Sequence, residues 1–195
     1  MRLYYKGKYN LDPDTLPHGE HKEGAVKFKE AEDSKKMSLI ANGIAMILMV
    51  LLLIPAYLRC RMYLAGSECQ IFISVLLSLV ILFPHELLHA ICFKEDVYLY
   101  TNWAQGMLFV VGPEVMTKAR FVFMSLFPNL VFGLIPYVIG MIVPQMVGIL
   151  FFGALALSMG AGDYYNVYNA LTQMPKGAKT YLYKFNSYWY LPKDE

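Results

Sequence analysis

The sequence predicts an all-α integral membrane protein with about four transmembrane helices and a small β-hairpin-like loop between spans 2 and 3. Three observations carry that expectation. Of 195 residues, 57% are hydrophobic and 16% charged, with a mean hydropathy of +0.41, whereas soluble domains are roughly 45–50% apolar and about 25% charged. No charge interrupts Met37 to Leu58, and 42 consecutive uncharged residues run from Phe121 to Gly162, where about 20 suffice to cross a hydrocarbon core. A further apolar run, Cys69 to Phe93, is interrupted only by Pro84-His85-Glu86-Leu87-Leu88-His89. This composition excludes a disordered chain, a collagen and a disulfide scaffold. With 17 Lys+Arg against 15 Asp+Glu and a net charge of +2, there is no basic tract of the kind that binds nucleic acid.

Residues 1–37 mix Lys with Glu and hold no short apolar region followed by a small-residue cleavage site, so they read as a charged cytoplasmic segment and not as a secretory signal peptide. Within them, Ala25 to Lys36 reads as a solvated charged face, with a surface amphipathic helix as the alternative. Met37–Leu58 then forms the first span, an uncleaved signal anchor, and Cys69–Phe93 the second. The long uncharged run divides at Gly140, Pro144 and Gly148 into spans over 121–142 and 145–170. The expected organisation is therefore an N-terminal segment over 1–37, a four-span membrane domain over 38–171 and a cytoplasmic tail over 172–195. Lys and Arg number 8 before the first span, 2 between spans one and two, 3 between two and three, and 4 after the fourth. The positive-inside rule places both termini and the 94–120 loop in the cytoplasm. In that loop, Val97-Tyr98-Leu99-Tyr100 and Gly106–Val111 are β-rich runs on either side of turn-formers, which suggests a membrane-associated hairpin or an interfacial loop anchored by Tyr and Trp103. Cys60 and Cys69 fall in or beside the outer loop, where a disulfide between them is possible.

His85-Glu86-Leu87-Leu88-His89 is an HExxH string. On a helix, residues i and i+4 share a face, so both imidazoles reach one ion while the intervening Glu holds the attacking water as general base. Ionisable groups inside an apolar span are costly unless partnered, which favours function over helix-to-helix hydrogen bonding. Catalytic zinc takes three protein ligands and leaves one position open. Once Glu86 is the base, Asp163 is the only other carboxylate within the expected spans. His89 and Asp163 each fall 19 residues along spans that run the same way, counted from Ile71 and Gln145, so they sit at similar depth, nearer the cytoplasmic face. Gly160 and Gly162 would let that span pack closely. Pro84 is expected to kink the second span. Asn129, beside Pro128, is a candidate donor to a substrate carbonyl or oxyanion, or an interhelical hydrogen-bonding group. His18 and His21, among Lys and Glu in the N-terminal segment, read as solvated and not as ligands.

An HExxH inside a span with an Asp in a later span resembles the site-2 protease class of intramembrane zinc metalloproteases. Across residues 38–171 the chain more closely resembles a family of small bacterial membrane zincin peptidases that is named as a domain of unknown function, through His85-Glu86-Leu87-Leu88-His89-Ala90 and Gly162-Asp163. The site-2 pattern has Asp-Gly and Gly-Pro-x-x-Asn where this chain has Gly162-Asp163 and Pro128-Asn129. The resemblance implies a bacterial plasma membrane protein. The expected function is hydrolysis of a membrane protein or peptide in or near the bilayer, with one Zn²⁺ per chain held by His85, His89 and Asp163, Glu86 as base, and substrate extended along Val97, Tyr98, Leu99 and Tyr100. The alternatives are a non-catalytic zinc-binding scaffold that captures partner helices, and a hydrolase of a lipid or another amide.

Overall fold

A computed structural model describes residues 1–192, so the last three residues of the expected 172–195 tail lie outside it. Strands β1 (Leu3–Lys8) and β2 (Val26–Lys27) precede helix α1 (Ser34–Cys60). Asp33 starts α1 by accepting the Lys36 N–H at 2.8 Å, which satisfies one of the unpaired donors of the first turn. The helix exposes Met46, Ile47, Val50, Leu51, Ile54 and Leu58, a surface suited to lipid and not to water.

The second apolar run forms two helices, α2 (Glu68–Val80) and α3 (Leu82–Ala90), bent by 43°. The expected kink is present. Pro84 has no N–H for Val80, four residues back, and its ring crowds that carbonyl, so α2 stops at Val80 and the proline falls in the first turn of α3. Next come β3 (Val97–Asn102), β4 (Met107–Val111) and β5 (Met116–Thr117), then α4 (Lys118–Pro128), a π-helical turn (Asn129–Leu134) and α5 (Ile135–Ile142). Pro136 cannot donate to Phe132, and the ladder widens so that the Ile135 N–H reaches the Leu130 carbonyl. Finally α6 (Val147–Met159) and α7 (Ala161–Gln173), bent by 51°, lead to β6 (Lys179–Tyr183) and β7 (Asn186–Tyr190). By length and apolarity, Lys35–Tyr63 and Lys118–Ile142 can each cross a membrane, and the count rises to four if each bent pair is one span.

α6 is the central helix, packed against α1, α2 and α5. A Cβ at Gly153 would strike the backbone of Tyr137 and Gly133, so the α5–α6 seam requires glycine there. Ser74 Oγ donates to the Gly148 carbonyl and the Gly148 N–H donates to Gln70 Oε1, at 2.7 and 3.1 Å, which ties α2 to α6.

The all-α expectation is incorrect: the protein is mixed α/β, with two sheets. The hairpin expected over 97–111 is present as β3 and β4, but β1 joins it in parallel on the far side of β3 to give the order β1-β3-β4. The second sheet, β2-β7-β6-β5, is assembled from the N-terminal segment, the loop before α4 and the residues after α7. Residues 1–37 and the tail are thus folded in large part. Ala25–Lys36 forms strand β2, an extended stretch and only the start of α1 instead of a surface helix. The partners of β1 and β2 lie more than 90 residues away, as in Leu3 with Val97 and Val26 with Trp189, and no local periodicity reports such contacts. Cys60, Cys69 and Cys92 are all free thiols.

The connection between α3 and the first sheet is pinned by charge. Glu114 accepts the Lys94 and Glu95 backbone N–H groups at 2.6 and 3.1 Å and pairs with Arg120, which also donates to the Cys92 carbonyl. Burial raises the Glu114 carboxyl, but Arg120 and the two N–H donors outweigh it and hold it below its ordinary value near 4.5. The stability this gives is fully present above that ordinary value and is lost as pH falls through the lower folded one. Glu114→Gln, which strands Arg120, is expected to destabilise the protein by about 1.5–3 kcal/mol at neutral pH. Thermal unfolding in detergent across a pH series checks this: the loss of stability on acidification should be shallower in the variant.

Candidate metal centre

HExxH lies on α3, where one helical turn stacks His85 and His89 with ring centroids 4.9 Å apart. The ligating atoms of His85, Glu86 and His89 all lie within 4.8 Å of one another. Asp163 enters from the first turn of α7, where the helix dipole favours a carboxylate. The bend at Gly160 aims it: His85 Nε2 meets Asp163 Oδ2 at 3.1 Å, and His89 Nε2 meets Asp163 Oδ1 at 3.2 Å. Two tetrahedral ligands, each about 2.0–2.1 Å from zinc, stand about 3.3 Å apart. The donor set therefore fits zinc in both chemistry and spacing. The side chain of His89 is only 7% exposed, and those of His85 and Asp163 are 16% exposed.

Around these groups is a second set of contacts. His89 Nδ1 lies 2.9 Å from the Met124 carbonyl. Donating there places the proton on Nδ1 and leaves the Nε2 lone pair for a metal. Glu86 Oε2 accepts the Val110 backbone N–H at 2.9 Å, so β4 steadies the expected base. Asn129 Nδ2 donates to Asp163 Oδ2 at 2.7 Å and to the Ser125 carbonyl at 3.2 Å, while Tyr164 OH donates to Asn129 Oδ1 at 3.4 Å. Both amide hydrogens of Asn129 are thereby committed. It orients the carboxylate in this arrangement and has no donor left over for an oxyanion.

All four expected metal-site residues, His85, Glu86, His89 and Asp163, come together. Val97, Tyr98, Leu99 and Tyr100 do not offer a free edge: β3 is the middle strand, paired with β1 on one side and β4 on the other. The unpaired edge nearest the site belongs to β4. Since the Val110 N–H turns away from β3 toward Glu86, Leu108, two residues earlier, turns the same way. His18 and His21 are not among the residues that come together and instead pack, tilted or edge-on, against tyrosines of the β6–β7 hairpin. A cavity of about 630 Å³ runs from Glu86, His89 and Asp163 past β4 to the second sheet and the N-terminal segment.

Sequence reasoning did not reach the backbone partners at Met124 and Val110, which carry no side-chain signal. Gly160 was legible as a small residue, and its specific role is spatial: a Cβ there would collide with the Asn129 carboxamide. Gly160→Ala is expected to displace Asn129 from Asp163 and weaken zinc binding by about 10- to 100-fold. Gly162→Ala, whose Cβ meets nothing within 4 Å, should keep wild-type affinity. Competition against a chromophoric chelator measures both.

Among protein families, DUF3267, described as "Putative zincin peptidase", matches residues 76–179, a stretch that includes HExxH, the π-helical turn, Asp163 and the start of β6. No curated protein and no solved structure matches the chain. The zincin description points to a zinc metallopeptidase, in agreement with the donor set. With more than half of its length matched, this chain belongs to the DUF3267 family.

Proposed function

We propose that this protein is an intramembrane zinc metallopeptidase that hydrolyses a peptide bond in or near the bilayer, in the manner of site-2 proteases. The observation that carries the reading is the convergence of His85 and His89 on separate oxygens of Asp163, with Glu86 beside them, on two bent apolar helix pairs. His85, His89 and Asp163 hold one zinc per chain. Zinc, when bound, polarises the scissile carbonyl and acidifies a water. Glu86 accepts the proton of the attacking water and delivers it to the departing amine. Because Glu86 is fixed through Oε2 to Val110, Oε1 is the oxygen available for that proton.

An extended substrate segment lies along the open edge of β4, where Leu108 offers its N–H and C=O. A helical substrate must first unwind, since its own hydrogen bonds hide the scissile amide. The predominance of Lys and Arg in the two terminal segments and the 94–120 loop supports a four-span topology with the sheets and the metal centre toward the cytoplasm of a bacterial plasma membrane.

Two measurements test this. Glu86→Gln should retain about one zinc per chain by elemental analysis while losing product formation by about 10²- to 10⁴-fold on a synthetic peptide mixture followed by mass spectrometry. Turnover that survives Glu86→Gln would remove Glu86 as the base, and zinc retained by wild-type protein that forms no product would favour a zinc-binding scaffold. In intact cells, exposed Cys69 should react with a membrane-impermeant maleimide in a Cys60→Ala/Cys92→Ala background; labelling only after cell lysis would invert the topology.

A further inference from the structure

The cavity at the metal centre is electrically one-sided. The acidic and imidazole side chains lining it are Glu30, Glu86, His89, Glu114 and Asp163, beside the phenol of Tyr181, and among the described residues no Lys or Arg lines it. Three of the four carboxylates have evident duties. Asp163 meets both imidazoles, Glu86 is held by Val110 as the base, and Glu114 pairs with Arg120. Glu30 does not fit this pattern. It sits between β2 and α1, on the wall contributed by the N-terminal segment and the second sheet.

Its carboxylate is held by neutral donors only: Oε1 accepts the Ser187 backbone N–H at 2.6 Å and Asn186 Nδ2 at 3.3 Å. No ion pair to Glu30 exists among the described residues. Burial raises its carboxyl above the ordinary range, against the lowering by those two donors and by the charge of exposed Lys27. A fixed, partly desolvated carboxylate with no cation in direct contact is stabilised by an arriving one. As a purely structural cap on the β6–β7 turn, a neutral amide would serve as well.

We propose that Glu30 forms a cation-recognition subsite of the active-site cavity, selecting substrates that carry an ammonium or guanidinium group near the scissile bond. The group comes from a Lys or Arg side chain or from the amino terminus of the substrate. This inference rests on the peptidase reading above. The negative wall has a second effect, since an acidic segment entering the same space would meet like charge.

The test uses full-length Glu86→Gln protein in detergent, loaded with zinc, so that bound peptides stay intact. Two randomised synthetic peptide libraries, one N-acetylated and one with free amino termini, are passed over it, and retained peptides are sequenced by mass spectrometry. Enrichment of Lys and Arg at one position of the acetylated library by about three- to tenfold is expected for side-chain recognition. Retention confined to the free-terminus library assigns the cation to the amino group instead. Either preference must vanish in Glu86→Gln/Glu30→Gln, whose amide can still accept the Ser187 N–H, and must weaken in the parent between 0.05 and 0.5 M salt, on the order of a Debye length shrinking below the cavity dimensions. Retention without cationic preference, or a preference that survives Glu30→Gln, overturns the Glu30 assignment and leaves the peptidase reading intact. Retention of no peptide by either protein removes the peptidase reading and this subsite with it.

Discussion

The structure is organised around one carboxylate. Asp163 brings together two imidazoles that helix α3 holds a turn apart, and it does so among apolar helices where unpaired buried ionisable groups are expensive. This requirement accounts for much of the surrounding geometry. The α6–α7 bend at Gly160 turns Asp163 inward, the α2–α3 bend at Ile81 turns HExxH to meet it, and the widened turn at Asn129 places an amide against the same oxygen that His85 contacts. Three irregularities in apolar helices thus converge on one site. Each has an identifiable source in glycine or proline chemistry.

The two sheets and their connections complete the centre. Val110 holds Glu86 through its backbone, so the first sheet must be in register for that carboxylate to be placed. The loop that joins α3 to that sheet is fastened by Glu114 and Arg120. The second sheet and the N-terminal segment then wall a cavity whose other side is β4 and the metal centre. A helix bundle alone would leave His85, Glu86 and His89 without this wall.

The residues of the candidate metal centre were legible in the sequence because an apolar run holds few residues of their kind. HExxH and Asp163 stand out against apolar neighbours, and matching their depths in parallel spans needed only the helical rise. The hairpin over 97–111 was legible from its β-rich runs and Gly106, which the structure shows at φ 62°. The two sheets as wholes were not. β1 is Leu-Tyr-Tyr-Lys-Gly-Lys, without clean alternation, and its partner lies more than 90 residues along the chain. In Lys179–Tyr190 the strand-forming tyrosines and Trp189 were overlooked because the segment was read only as a charged tail. Val97–Tyr100 looks like an edge in the sequence because nothing local signals the parallel pairing with β1. Asn129 was recognised as polar and at suitable depth, but only the close approach of Gly160 reveals that its amide serves Asp163.

The strand order β2-β7-β6-β5 also governs when the walled cavity can exist during synthesis. β7 bridges β2, made before the first apolar helix, to β6, made after the last, and it is the final described strand to leave the ribosome. The helices and HExxH are in place well before it. Until β7 arrives, β2 and the Glu30 wall have no partner at Ser187 and Trp189, and the cavity stands open on that side. During translation, therefore, the residues of the candidate metal centre precede the strand that closes the cavity beside them, and that wall forms only once β7 pairs with β2 and β6.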